Sequence, residues 1–107
     1  MARMEQVNAL LQQELAFLIT QYVPLKGGLV TVVWVDCTHD LREATVAVSV
    51  LPEKFAGTVL AQLRKKSGIF ASHLRKRIKM KRLPSFRWQL DTTESNAAVL
   101  EDIFQSL

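Results

Sequence analysis

Two strand-like runs joined by a short polar loop constrain the fold of this chain more than any other feature. Leu29–Val35 is β-branched and almost continuously apolar, which is typical of a central strand covered on both faces. In the second run, Ala44–Leu51, the alternating residues at positions 44, 46, 48 and 50 form the better core face. Because the polar loop at residues 36–42 is too short for a helical crossover, the two runs predict an antiparallel hairpin.

Helical patterns lie on either side of this hairpin. Residues 4–23 carry apolar side chains at spacings of three and four and end at Pro24, which predicts an amphipathic first helix. A second helix is predicted from Lys54 to Lys66, where Ser67 and Gly68 interrupt the pattern. The apolar spacing starts again at positions 70, 74 and 78, so we expect two helices joined at a kink.

The end of the chain predicts one more strand and one more helix. Apolar and polar residues alternate from Phe86 to Asp91, as in a strand with one buried face. Capping residues at positions 92, 93 and 95 and apolar residues at 97, 100, 103 and 104 predict a short C-terminal helix. Since a long helical crossover separates the second and third strands, the three-stranded sheet should be mixed, with the helices on one face. We therefore predict one α+β domain over residues 1–107, in the order α-β-β-α-kink-α-β plus the short helix.

Length and composition exclude several classes of protein. With 107 residues, of which 49% are hydrophobic, the chain can build a single core without a disulfide or a structural metal. Cys37 is the only cysteine, so no internal disulfide can form, which fits a reducing compartment. The longest apolar run is too short to cross a bilayer, and the N-terminus lacks a signal-peptide core. We expect a cytoplasmic protein with no membrane partner.

The segment Arg64–Arg87, called the basic segment below, concentrates the positive charge. It holds ten of the fourteen Lys and Arg residues and no Asp or Glu, so it carries +10 while the other 83 residues carry −6. Like charges repel, so folding alone gives no reason to collect them, whereas a polyanion that releases counterions does. We predict a contact surface for the backbone and shape of folded RNA, since the aromatic residues considered for base stacking fall on predicted core faces. A solvated basic helix face is the competing interpretation.

The predicted kink would place a helix N-terminus near Ile69, among these cations. Its free N–H groups, the small Gly68 and the flanking cations would form a phosphate clamp. Arg77 flanks the apolar face and is expected to pack along it instead. The RNA-binding residues predicted from this arrangement are Arg64, Lys65, Lys66, Ser67, Gly68, Arg75, Lys76, Lys79, Lys81, Arg82 and Arg87.

Several of these motifs resemble a known family. They are D-L-x-x-A at Asp40–Ala44, the glycine at position 68, the basic cluster before Pro84, and F-x-W-x-L-D at Phe86–Asp91. Over nearly the whole chain the sequence is similar to ribosome-binding factor A, an assembly factor of the bacterial small ribosomal subunit. The resemblance implies a type II KH-like domain, with the helix–kink–helix replacing the usual GxxG loop. It also implies binding to 16S rRNA in the immature 30S subunit, a role in 16S rRNA maturation and in growth in the cold, and no catalytic residues.

Three positions depart from the pattern of that family. Lys66-Ser67-Gly68 stands where Ala-x-Gly is usual, Ala71 where an arginine is common, and Pro84-Ser85-Phe86 where Pro-Glu-Leu is typical. Lys66 compensates in charge for the arginine that is lacking at position 71. We further expect the protein to be a monomer when it is free.

Two other functions remain open alternatives. A basic DNA-binding module or regulator also fits the charge, and a Mg²⁺-dependent nuclease would need acidic residues such as Asp36, Asp40 and Asp91 to gather at strand ends. Cys37–Asp40 holds possible metal ligands and a thiol–imidazole pair, but zinc takes ligands from separated pairs and a nucleophile needs an orienting partner. We therefore predict no metal, no cofactor and no catalytic residue.

Overall fold

A computed structural model describes residues 3–78, 80 and 82–91 of the chain. The elements are α1 (Arg3–Tyr22), β1 (Leu29–Cys37), β2 (Glu43–Leu51), a 3-10 turn (Glu53–Phe55), α2 (Ala56–Arg77) and β3 (Ser85–Leu90). The predicted C-terminal helix lies outside the described residues.

The sheet has the predicted mixed topology, in the order β1-β2-β3. β1 and β2 pair antiparallel, with Val32 opposite Val48, which confirms the hairpin. β2 and β3 pair parallel, with Val46 opposite Trp88, because the long α2 crossover brings the chain back to the same end of the sheet. The α+β fold is therefore confirmed.

The position of β1 in the sheet differs from the prediction. β2 is the central strand and β1 is an edge strand, so the expectation of a central β1 covered on both faces is wrong. An irregularity between Val32 and Trp34 shifts the register by one residue, as a β-bulge does. Val32 and Val35 therefore both face the helices and are buried, while Trp34 faces the open side and is 37% exposed. Because the bulge places Val32 and Val35 on the same covered face, an almost continuous apolar run is compatible with a strand that is covered on one face only.

Both helices pack on one face of the sheet, as predicted. The core consists of the inward row of β2 together with one side of each helix, and its most enclosed members are Leu11, Leu15, Leu18, Ile19, Ala44, Val46, Val48, Leu63, Phe70 and Leu74. Helix α1 also supplies partners for backbone groups of the β1 edge. The Gln12 amide donates to the carbonyls of Val32 and Val33, and the Asn8 Oδ1 atom accepts from the Cys37 N–H. These bonds protect an edge that would otherwise be open to pairing with another chain.

Helix α2 is one continuous helix of 22 residues, so the prediction of two separate helices joined at Ser67 and Gly68 is wrong. The buried residues Leu63, Phe70 and Leu74 are spaced by seven and four residues, so the apolar row keeps its phase across the glycine. Burial of Phe70 and Leu74 stabilises the continuous helix by about 1.5–3 kcal/mol for each side chain. A helix-interior glycine costs only about 1 kcal/mol, which is too little to break it.

Candidate nucleic-acid interface

The cations of α2 lie in rows that the helical repeat defines. Arg64, Gly68 and Arg75 are spaced by four and seven residues, which places them on the side of α2 that faces β3. Lys65, Ser72 and Lys76 form the neighbouring row on the outer surface. All six residues are exposed, and α2 contains no Asp or Glu at all. Four of the predicted cations, Arg64, Lys65, Arg75 and Lys76, therefore lie on two adjacent exposed rows without acidic neighbours in the same helix.

A groove of about 440 Å³ runs between α2 and the edge strand β3. Arg64 lines it from the helix and Arg87 from the strand, with the Trp88 and Phe86 side chains and Glu43 completing its walls. Both arginines are exposed. Two exposed arginines that border one groove can contact phosphates of a strand that follows the β3 edge.

A third row of α2 faces α1 and is held by contacts inside the protein. The Arg77 Nε atom lies 2.8 Å from the Glu14 carboxylate, and the His73 Nε2 atom lies 2.7 Å from the Tyr22 hydroxyl. Lys66 belongs to the same row and is half-buried. Within the described part of the chain, Arg77 is the one α2 cation with an ion pair, and its side chain is 61% exposed instead of packing along the apolar face as expected.

Ser67 and Gly68 do not form the predicted phosphate clamp. Because α2 is continuous, no helix N-terminus lies at Ile69, and the expected free N–H groups are absent there. The Ser67 hydroxyl donates to the Leu63 carbonyl at 2.9 Å and accepts from the Trp88 indole N–H at 2.8 Å. Gly68 is exposed, and a Cβ atom added there would meet no heavy atom within 4 Å.

The RNA-binding residues predicted after α2 are described only in part. Arg82 is exposed and lies between α2 and β3, and Arg87 is exposed on β3 itself. Lys79 and Lys81 lie outside the described residues. Of the cations predicted after α2, the structure therefore describes Arg82 and Arg87.

Two exposed aromatic residues escaped the sequence-based prediction. Phe17 on α1 is 55% exposed and Trp34 on β1 is 37% exposed. The exposure of Trp34 was missed because β1 was assumed to be covered on both faces. For Phe17 a signal was present, because the residues three and four positions away, Gln13, Glu14, Thr20 and Gln21, are all polar.

The candidate thiol and acidic ligands lie at the end of β1 and in the loop that follows it. Burial, assisted by the Asp36 carboxylate, raises the pKa of the Cys37 thiol, so the nucleophilic thiolate is disfavoured. Hydrogen bonds from the Thr38 hydroxyl and the Arg42 backbone N–H hold the pKa of Asp40 below its usual range. Among the described residues, no three His, Cys, Asp or Glu side chains lie close enough together to hold a metal ion. In that same part of the chain, no helix is long and apolar enough to cross a membrane.

The fold and this surface define a small α+β protein with a KH-like order of elements and a cation-covered second helix. The sequence model of ribosome-binding factor A matches residues 3–104. The chain therefore belongs to the ribosome-binding factor A family.

Individual relatives and a solved structure agree with this assignment. Ribosome-binding factor A of Akkermansia muciniphila is 30% identical over 98% of this chain and 87% of its own length. The protein of the same name from Chloroherpeton thalassium is 34% identical, over 96% of this chain and 85% of its own length. The crystal structure of ribosome-binding factor A from Thermus thermophilus superimposes with a TM-score of 0.74 at 24% identity, covering 83% of this chain and 97% of that one. At that level of identity the structural likeness supports the fold alone.

Proposed function

We propose that this protein is a non-catalytic RNA-binding assembly factor that binds the immature 30S ribosomal subunit and supports 16S rRNA maturation. The whole chain, residues 1–107, acts as one KH-like RNA-binding domain. In this proposal the protein is a cytoplasmic monomer when free, and its action supports growth in the cold. Membership of a family whose name refers to ribosome binding supports the ribosome as the partner.

The exposed cations on two rows of α2 are the observation that carries this proposal. Arg64, Lys65, Arg75 and Lys76 have no ion pair among the described residues, although the parts of the chain outside the basic segment carry ten acidic side chains. A fold gains nothing from gathering unpaired cations on one helix, because their mutual repulsion opposes folding. Phosphates remove that repulsion and release condensed counterions at the same time.

The mode of recognition that we propose is contact with the RNA backbone. The groove between α2 and β3 offers Arg64 and Arg87 to phosphates, and the outer row adds Lys65 and Lys76. Cations on a continuous helix present a fixed spacing of charge, which selects an RNA shape rather than a base sequence. Ser67 has no part in this contact, because its hydroxyl already donates one hydrogen bond to the Leu63 carbonyl and accepts one from the Trp88 indole.

Co-sedimentation with ribosomal particles tests the proposal. The wild-type chain is mixed with immature small subunits, mature small subunits or duplex DNA, at low and at moderate salt. We expect it to pellet preferentially with immature subunits at moderate salt, where purely electrostatic binding weakens. Equal retention by duplex DNA, without preference for immature subunits, would support a DNA-binding module instead and overturn the proposal.

A further inference from the structure

Phe17 on α1 is 55% exposed. Among the described helical residues, no other large apolar side chain is as exposed. A single exposed apolar residue is common on protein surfaces and needs no function. The surroundings of Phe17 are unusual, however, because the residues three and four positions before and after it are three amide or hydroxyl side chains and Glu14. An aromatic ring that stands alone among polar groups is a poor nucleus for an apolar interface.

The ring of Phe17 forms one wall of a small pocket between α1 and α2. Gln13, Glu14 and Arg77 line the rest of the pocket, whose volume is about 250 Å³. Pockets that enclose a whole drug-sized ligand begin at roughly 300 Å³, so this one suits a single planar ring system. An aromatic, an amide and a guanidinium side chain thus border one space that is large enough to accept a single nucleobase.

The guanidinium of Arg77 is held in place at the rim of this pocket. Its Nε atom donates to the Glu14 carboxylate at 2.8 Å, and the Glu14 side chain is only 13% exposed. The Arg77 side chain is nevertheless 61% exposed, so the remaining N–H groups of the guanidinium are available to a ligand. The ion pair neutralises Glu14, which would otherwise repel the phosphates of a nucleic acid.

We propose that the pocket formed by Phe17, Gln13 and Arg77 binds one unpaired base of an RNA strand. The base stacks on the Phe17 ring, the Gln13 amide offers a donor and an acceptor to the base edge, and Arg77 contacts the adjoining phosphate. This inference rests on the proposed function and extends it, since the cations of α2 bind phosphates of any base sequence. The pocket would direct the protein to RNA regions in which a base is free to leave the stack.

A partner protein fits this pocket less well than a base does. The apolar side chains of α1 and the segment after α2 meet in a neighbouring groove, which is lined by Val7, Leu10, Ile78 and Met80 and shares only Arg77 with the Phe17 pocket. Leu10 is 41% exposed and belongs to that groove and not to the Phe17 pocket. Leu10 therefore provides a matched control on the same helix, with a similar apolar exposure and no aromatic face.

Variants of the full-length chain separate stacking from general apolar contact. The probes are a single-stranded RNA of adenosine and cytidine residues, which forms no internal base pairs, and a fully paired RNA duplex. Loss of one stacking contact costs about 1–3 kcal/mol, so F17L should bind the strand about 5- to 150-fold more weakly than the wild type. Duplex binding by F17L should not change, because a paired base cannot enter the pocket. L10A should bind both RNAs like the wild type.

An added tryptophan reports the stacking directly. In the double variant F17W/W34F, the new indole is exposed while Trp88 is 6% exposed. Addition of the strand should quench the emission of the exposed tryptophan, and the duplex should leave it unchanged. F17W/W34F should also keep the affinity for the strand that F17L loses.

The results that overturn the base site differ from those that overturn the proposed function. If F17L binds the strand as tightly as the wild type, the base site is wrong even though RNA binding stands. If L10A loses as much affinity as F17L, the loss reflects general apolar contact, and the base site is wrong again. If the wild type binds neither immature subunits nor either RNA, both the proposed function and the base site are wrong.

Discussion

Ser67 lies within the basic segment, directly after three consecutive cations, yet its side chain faces the protein interior. It follows Leu63 by one helical turn and precedes Phe70 by three residues, so it belongs to the row that faces the sheet. Its hydroxyl accepts the indole N–H of Trp88, a side chain that is only 6% exposed. This bond joins α2 to β3, the two elements whose arginines line the groove.

The variant S67A should lower the free energy of unfolding by about 1–3 kcal/mol, because the indole N–H of Trp88 then loses its partner in a nearly dry site. Urea denaturation measures this change. In a W88F background the same substitution should cost much less, since no indole N–H remains to be satisfied. RNA affinity of the folded S67A protein should stay unchanged. Unaltered stability together with weaker RNA binding would show instead that Ser67 contacts the ligand.

The continuity of α2 is decided by burial across Gly68 rather than by the local preference of the glycine. Residues on both sides of it contribute to one buried row, and the residue before it bonds back to the Leu63 carbonyl. The sequence pattern is interrupted at this point, but the helix is not. The tertiary contacts of Phe70 and Leu74 outweigh the local interruption.

An alanine at position 68 tests this account of α2. Within a continuous helix, G68A should raise the free energy of unfolding by about 0.5–1 kcal/mol, since the new Cβ atom meets no heavy atom within 4 Å. G57A is the matched control, because Gly57 is also exposed on α2 with the same open surroundings. Thermal or urea unfolding of both variants gives the comparison. If G57A stabilises the protein while G68A destabilises it, the helix needs a glycine at position 68, as a kink would require.

The sheet shows how far local pattern predicts this fold. Alternation identified the buried row of β2 correctly, because side-chain period is a local property of a strand. The position of a strand within the sheet depends on pairing with distant residues, which the pattern does not record. The apolar run of β1 therefore suggested a central strand. In the structure β1 is an edge strand, and a bulge near Val33 lets Val32 and Val35 both face the core.

In the candidate interface, too, some features follow from the local sequence pattern and others depend on tertiary packing. The exposure of Arg64, Arg75 and Lys76 follows from charge and helical period, and the structure shows all three side chains exposed. Arg64 and Arg87 line the same groove between α2 and β3 although they lie 23 positions apart in the sequence, and no periodicity connects them. The pocket at Phe17 likewise depends on the packing of α1 against α2, so only the structure reveals it.

At the scale of the whole molecule, the separation of charge determines how binding depends on salt. The basic segment carries +10 and the rest of the chain −6, so the molecule has a polarity that its net charge of +4 conceals. If only the net charge attracted a ligand, the ligand would have no preferred position on the surface. A polyanion that meets α2 encounters the concentrated positive field first.

Removal of two charges from α2 should therefore change the salt dependence of RNA binding, whereas removal of two charges elsewhere should not. R75A/K76A should weaken binding to the RNA duplex and reduce the slope of log affinity against log salt by about one unit for each phosphate that the variant no longer binds. K26A/K54A removes the same net charge from two exposed lysines outside the basic segment and should leave the slope unchanged. Titrations of each variant over a range of salt concentrations measure the slopes. Equal reductions in both variants would mean that net charge alone attracts the RNA, and that α2 is a solvated helix face after all.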